Sequence, residues 1–366
     1  MRGRDIMNLD TNKKMGLFAL SAVALLVLPF VVGGALGNSW VRIVDFALLY
    51  VMLALGLNIV VGFAGLLDLG FIAFYAIGAY TYALLSSPHF DIHWLFFLTI
   101  PLGAAFASLG GVLLGTPVLR LKGDYLAIVT LGFGEIVRIF MNNLNSPVNI
   151  TNGPQGVNLI DPIHVGGVSL GQTIELFGVS FHSVYLYYYL FLALTIAVVI
   201  MVWRLQHSRI GRAWVALRED DIAAAAMGIN IRNIKLLAFG LGALSGGVAG
   251  GLFASFQGFV SPESFSLLES IMILAMIVLG GMGHIPGVIL GAVVLTIAPE
   301  ILRDVIGPLQ MKTFGRMLID PENARMLLFG LAMVVMMLVR PEGMWPSKRR
   351  KAEFQHVKDE AAAQKG

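Results

Sequence analysis

Residues 15–32, 95–114, 185–203 and 327–339 each form an almost uninterrupted apolar run. A run of about 20 such residues crosses the roughly 30 Å hydrocarbon core of a bilayer as a helix. No water reaches the backbone in that layer, so each segment must satisfy its own N–H and C=O groups. Composition agrees: 57% of the residues are hydrophobic and only 13% charged, against roughly 25% charged in a soluble domain. The alternating ten-residue segments of a membrane barrel do not occur. The chain reads as an all-α polytopic membrane protein.

Setting apolar runs against turn signals gives about ten transmembrane or re-entrant helices, centred near residues 25, 52, 77, 106, 131, 194, 245, 276, 296 and 332. The third and fifth are short and glycine-bearing, which marks them as candidates for broken helices. The stretch after Lys13 and Lys14 is nearer in length to a full span than to a signal-peptide core, and reads as an uncleaved first helix. Basic residues set the orientation. None occurs between Arg138 and Arg204, so the polar loop 142–183 falls outside. Arg2, Arg4, Lys13, Lys14, Arg120, Lys122, the segment 204–235 and the "KRRK" of 348–351 then fall inside. Lys312 and Arg316 fit this arrangement least well. The organisation that follows is a cytoplasmic N-terminus (1–14), a transmembrane domain (15–340) with a cytoplasmic loop at 204–232, and a cytoplasmic tail (341–366).

Several chemistries are excluded. The chain has no cysteine, so disulfides and thiolate metal sites are ruled out. Residues 167–171 match G-x-S-x-G by letter, but a loop of this size cannot hold the sheet that a nucleophile elbow needs. His89 and His93 flank Asp91 beside Trp94 and read as interfacial residues, not metal ligands. There is no nucleic-acid footprint. The dipeptide Gly-Lys is absent, so the chain has no Walker A phosphate loop. It is expected to carry no catalytic residue, metal or cofactor; if ATP drives it, ATP-Mg binds to a partner.

Glycine is in register, not scattered. Gly242, Gly246 and Gly250 recur every fourth residue, as do Ala243, Gly247, Gly251 and Ser255 on the adjacent ridge, and Gly283, Gly287 and Gly291 follow the same spacing. Such stripes let membrane helices approach closely. Ionisable residues at membrane depth are functional candidates. Asp68, inside a glycine-rich apolar segment, and Glu135, three residues before Arg138, are candidates to line a path. Asp45, and Glu300 with Arg303, read as span-end residues in the headgroup region.

The segment "GRAWVALREDDIAAAAMGIN" (211–230) puts five charged residues and four consecutive alanines between apolar spans. Topology accounts for its arginines but not for its acids or alanines. With "GFAGLLDLGFIAFYAIGAY" (62–80), "LRLKGDYLAIVTLGFGEIVRI" (119–139), "TNGPQG" (151–156) and "VLGGMGHIPGVILGA" (278–292), it resembles the LivM-type permease subunits of branched-chain amino-acid ABC importers. The resemblance covers residues 40 to 345. It implies an ABC importer permease fold that moves leucine, isoleucine and valine, and is not an enzyme. The implied partners are a homologous LivH-like permease, two LivG/LivF-like ATPase subunits and a periplasmic substrate-binding protein. It also implies that 204–232 is a coupling loop docking on an ATPase through Gly211, Arg212, Arg218, Glu219, Asp221, Ala223, Ala224 and Gly228. The wider consensus, E-A-A-x-x-x-G, places its acid where this chain has Ile222, which leaves Asp221 or Glu219 for that role. A urea or short-chain amide permease of the same group is the alternative, and an ion-coupled transporter using Asp68 or Glu135 is a third reading.

Overall fold

The computed structural model describes residues 22–119, 121, 123–165, 168–176 and 179–314, with Gly16, Leu20 and scattered positions between 330 and 345. The expected N-terminal segment 1–14, Arg120, Lys122, Gly167, Arg316, most of the span centred near 332 and the tail beyond Trp345 lie outside the described residues.

The apolar runs become helices α1 (Ala22–Leu36), α2 (Asn38–Asn58), α3 (Ile72–Leu85), α4 (Phe96–Val118), α5 (Asp124–Asn143) and α6 (Ser183–Gln206). Two short helices follow, α7 (Arg209–Glu219) and α8 (Asp221–Ala226), and then α9 (Ile231–Gln257), α10 (Leu267–Gly280) and α11 (Ile285–Phe314). Among the described residues, five segments are long and apolar enough to cross a membrane: Asn38–Phe63, Phe96–Val118, Ser183–Gln206, Ile231–Gln257 and Ile285–Asp304. Nine of the ten expected centres fall in helices of the described residues, α1 to α6 and α9 to α11; α1, α3 and α10 are apolar but shorter than a full span. The expected breaks fall differently. α3 is indeed short, but α5 is a continuous helix of 20 residues, and α10, at 14 residues, is as short as α3. At 14 residues each, α3 and α10 reach only about 21 Å.

α2 does not stop at Asn58. It continues through a π-helical turn, Ile59–Phe63, before the chain turns irregular up to α3. π-helical turns recur at functional sites.

The two small-residue ridges of α9 face different neighbours. A Cβ at Gly242 would lie 2.9 Å from the Gly56 carbonyl of α2, and one at Gly250 would lie 2.1 Å from the Tyr75 carbonyl of α3. On the adjacent ridge, a Cβ at Gly247 would meet the Gly103 carbonyl of α4 at 2.8 Å. Thus α9 touches α2, α3 and α4 almost backbone to backbone. Gly291 repeats the device, with its Cβ position 2.1 Å from the Met276 carbonyl of α10.

The connections at one end of the bundle carry short antiparallel ladders, a departure from a purely helical reading. β1 (Ser86–Ser87) pairs with β2 (Ile92–His93), and β3 (Val157–Asn158) pairs with a late strand, Phe259–Val260. The latter pairing ties the 144–182 connection onto the end of α9. Asp161 anchors it: its N–H donates to the Ser86 carbonyl, and its own carbonyl accepts from Tyr82 Oη. His93 Nδ1 lies 2.5 Å from Asp161 Oδ2, and His89 Nε2 lies 3.1 Å from the Asn149 carbonyl. The two histidines thus clasp the long connection.

Two outcomes are expected. Gly250→Ala forces a side-chain carbon into the α3 backbone and lowers stability by about 1–3 kcal/mol. Gly132→Ala, where an added Cβ meets nothing within 4 Å, leaves the melting temperature in detergent unchanged. The second concerns pH. Asp161, by hydrogen bond and charge, raises the His93 imidazole above its ordinary 6.5. The clasp therefore contributes fully below pH 6.5 and weakens as pH rises through the raised value. Hydrogen exchange of 157–163 should accelerate over that rise, and His93→Gln should remove the dependence.

Candidate functional site: the α7–α8 element and its junction with α2

The stretch 209–230 folds through three successive side-chain caps. Ser208 Oγ accepts from Gly211 N to start α7, Asp220 Oδ1 accepts from Ile222 N and Ala223 N to start α8, and Asn230 Oδ1 accepts from Asn233 N to start α9. Each cap satisfies a helix N–H that would otherwise lack a partner. Gly211 sits where α7 folds back on α6; a Cβ there would lie 2.3 Å from the Leu205 carbonyl. α7 is amphipathic. Gly211, Trp214 and Leu217 are buried at helical spacing, and Trp214 Nε1 donates to the Ile234 carbonyl in the first turn of α9 at 2.9 Å. Gly228 takes φ 84 as the chain leaves α8, a conformation that suits glycine.

The outer face of this element is apolar at its tip. Ile222 is 74% exposed and Met227 84%, with exposed Ala223, Ala225 and Ala226 between them. Ala224 turns inward and is buried. The expected residues therefore divide. Arg212, Glu219, Ala223 and Gly228 are exposed, Asp221 is half-buried, and Gly211 and Ala224 hold the element to the body. The cap of α8 is Asp220. That residue was missed in the sequence, although an Asp before an alanine run is an ordinary cap signal.

Arg218 points the other way, into the body. Its Nη1 donates to the Gly62 carbonyl in the π-helical turn of α2 at 2.9 Å. Gly65 lies directly beneath with φ 71, where a Cβ would stand 2.4 Å from Arg218 Cγ. The α10–α11 loop joins the same junction, because Gly283 N donates to Asn58 Oδ1 at 2.9 Å. One arginine therefore links the exposed element, the end of α2 and, through Asn58, the α10–α11 loop.

The path candidates lie elsewhere. Asp68 is fully buried in the irregular segment before α3. Its Oδ1 accepts from Gly70 N at 2.9 Å, Leu69 N donates to Thr130 Oγ1 of α5, and Ile72 N donates to Ser270 Oγ of α10. Its second oxygen has no hydrogen-bond partner among the described residues. Glu135 pairs with Arg138 at 2.5 Å, as the spacing leads one to expect, and Arg138 also grips Glu263 at 2.9 Å. Glu263 is remote in sequence and carried no local signal. Glu300 pairs with Arg303 at 3.1 Å. Asp45 is buried within α2.

Residues 39–337 match the family model described as "Branched-chain amino acid transport system / permease component". The chain belongs to this permease family. It is 42% identical over 342 residues to the permease LivM of Escherichia coli K12, covering 90% of this chain and 75% of that protein. It is 42% identical over 349 residues to LivM of Salmonella typhimurium, covering 92% and 76%. Similarity to LivH of E. coli K12 is weaker, 28% over 254 residues, covering 68% and 80%. No solved structure matches. Membership in a family of transport permeases makes the chain a multi-pass membrane protein and a permease subunit, not an enzyme.

A hydrogen bond to a charged group contributes about 1.5–3 kcal/mol. Arg218→Met is therefore expected to speed amide exchange of residues 62–66 by about tenfold or more, with α9 amides unaffected. Unchanged exchange at 62–66 would mean that the junction does not hold the π-helical turn.

Proposed function

We propose that this permease is one of two membrane subunits of an ATP-driven importer for leucine, isoleucine and valine. The names and 42% identity of the LivM relatives favour that substrate class over urea or short-chain amides. Basic-residue placement supports an inner-membrane orientation with both termini and 204–232 cytoplasmic and 142–183 periplasmic. A homologous LivH-like chain forms the second membrane subunit, LivG/LivF-like ATPases bind ATP-Mg, and a periplasmic binding protein delivers the substrate.

The observation that carries this reading is the pairing of an apolar tip with a fixed internal contact. Ile222 and Met227 protrude at the end of a capped, rigid element, whereas Arg218 of the same element holds the π-helical end of α2. Exposed apolar side chains ringed by charge are the anchors of a protein interface. Docking an ATPase on the tip moves the element, and Arg218 passes that movement to α2. Ile222 thus serves as an apolar anchor where related permeases carry an acid.

α5 supports the two-subunit pathway. Only Leu126, Ala127, Thr130 and Gly134 of this helix are buried. Its open face mixes exposed Ile128, Ile136 and Phe140 with the half-exposed Glu135 carboxylate. A carboxylate at membrane depth belongs against protein or water, not lipid, so this face is assigned to the second permease and the path between them. Asp68 borders α5 at Thr130 and is placed at the inner end of that path.

The test uses the complex reconstituted in vesicles. Labelled leucine should accumulate only with the ATPases and ATP, and labelled urea should not. Ile222→Asp with Met227→Asp should abolish uptake and co-purification of the ATPases, each anchor contributing about 2 kcal/mol or more, while the subunit remains in the membrane. ATPase-independent uptake driven by an ion gradient would overturn the reading.

A further inference from the structure

A groove of ≈ 640 Å³ runs between α6 and α11. Trp203, Leu290 and Trp345 on its walls are exposed. It lies away from the face assigned to the second permease, because α6 and α11 pack on α2, whereas α5 packs on α3 and α4.

Both walls grade from aliphatic to amphipathic in the same direction. Val199 of α6 and Ile289 and Val293 of α11 line one end, and His207 and His284 line the other. From Val199 to His207 the groove follows about 12 Å of helix. In the proposed orientation α6 runs toward the cytoplasm. The aliphatic end then lies in the inner half of the hydrocarbon layer and the other end at its boundary, where tryptophan concentrates.

The polar end is built from the same unit twice. His207 Nδ1 donates to the Trp203 carbonyl at 2.8 Å, with the two rings 4.9 Å apart. His284 Nδ1 donates to the Trp345 carbonyl at 2.8 Å, with those rings 6.2 Å apart. A carbonyl only accepts, so each imidazole turns its hydrogen-bearing Nδ1 to the backbone, and Nε2 is the atom with which it meets a ligand. The Trp345 N–H in turn donates to the Gly280 carbonyl at 3.0 Å, which fixes that wall to α10.

No acidic side chain is among the described residues that line the groove, and positive charge surrounds its polar end. α11 begins there at Ile285, with the positive end of its dipole. Arg204 and Arg209 are exposed on either side of His207 in the chain. Lys348, Arg349, Arg350 and Lys351 follow Trp345, and three residues of chain keep Lys348 within about 11 Å of it. A basic cluster beside a membrane span attracts anionic lipid. An uncharged headgroup leaves that charge unmatched, and a water-soluble anion has no use for the aliphatic end.

We infer that this groove is a binding site for an anionic phospholipid of the inner leaflet. An acyl chain lies along Val199, Ile289 and Val293, and the phosphate sits at His207 and His284, drawn by the basic run 348–351. His207 immediately precedes the Ser208 cap of α7, and His284 immediately follows Gly283, whose N–H donates to Asn58. One lipid therefore ties the base of the docking element to the α10–α11 loop, and the anionic content of the membrane sets how firmly α7 is held. The inference rests on the proposed function for its sidedness.

The direct test is native mass spectrometry of the purified permease–ATPase complex released from nanodiscs of phosphatidylglycerol mixed with phosphatidylcholine. Phosphatidylglycerol should be retained about fivefold or more over phosphatidylcholine. His207→Glu with His284→Glu should abolish that preference, and His207→Lys with His284→Lys should keep it. Val293→Trp, which fills the aliphatic end, should lower retention of both lipids. In vesicles, initial leucine uptake should rise about fivefold or more when phosphatidylglycerol replaces phosphatidylcholine, in the unmodified and lysine-paired complexes but not in the glutamate-paired one. Equal retention of the two lipids, a preference that survives the glutamate pair, or efficient cross-linking of Trp203→Cys to the second permease would overturn the inference. Lipid retention is read without transport, so absence of ATP-driven leucine uptake judges the import reading separately and the two failures are distinguishable.

Discussion

Apolar side chains gain little by leaving a bilayer for a protein interior, so membrane helices hold together through packing at short range. In this permease α9 concentrates that packing. One ridge, containing Gly242, Gly246 and Gly250, lies on α2 and α3, and the other, containing Ala243, Gly247 and Gly251, lies on α4. Where a side chain would stand at Gly242, Gly247 and Gly250, carbonyl oxygens of the neighbouring helices already occupy the space. α2 is consequently enclosed on nearly all sides, and its far end is delivered to a fixed position beside α7. The positions of the π-helical turn and of the irregular segment carrying Asp68 follow from that enclosure.

The Arg218 contact depends on this frame. A π-helical turn shifts the carbonyls at the end of a helix, and the Gly62 carbonyl receives its donor from the guanidinium, not from a neighbouring turn. Trp214 pins the same helix to α9, so Arg218 reaches α2 from a rigid base. In the proposed function this short chain of contacts, and not any charge on the α8 tip, connects ATP hydrolysis in a partner to the membrane path. Conversion of a docking movement into a helix movement requires a stiff link; Gly65, without a side chain, lets the arginine lie against the backbone itself, and Gly62 leaves room for Asn58 and the Gly283 backbone.

Much of this arrangement was legible in the residues. The long apolar runs, the glycine ridges, the Glu135–Arg138 and Glu300–Arg303 pairs and the distinctive character of 211–230 all follow from local spacing. What the sequence did not disclose is long-range or conformational. The partnership of Arg138 with Glu263 joins residues 125 apart, and periodicity carries no information about such a pair. Asp45 reads as a span-end acid only if α2 is taken to begin there, but α2 starts at Asn38 and buries it. The short helices were half legible: glycine marked α3, but glycine in α5 serves close packing against Gly70 and not a break. Asp220 was hidden among neighbouring acids, because only the backbone angles distinguish the capping residue from the first helical one.

The absence of cysteine from the chain allows one measurement to test the central claim directly. A single cysteine placed at Met227 can be cross-linked to the ATPase subunits in the assembled complex during turnover. The account predicts a cross-link at high yield that changes with the nucleotide state, and that Arg218→Met leaves in place while uptake falls. Full leucine uptake by a complex in which position 227 never cross-links to an ATPase would contradict it.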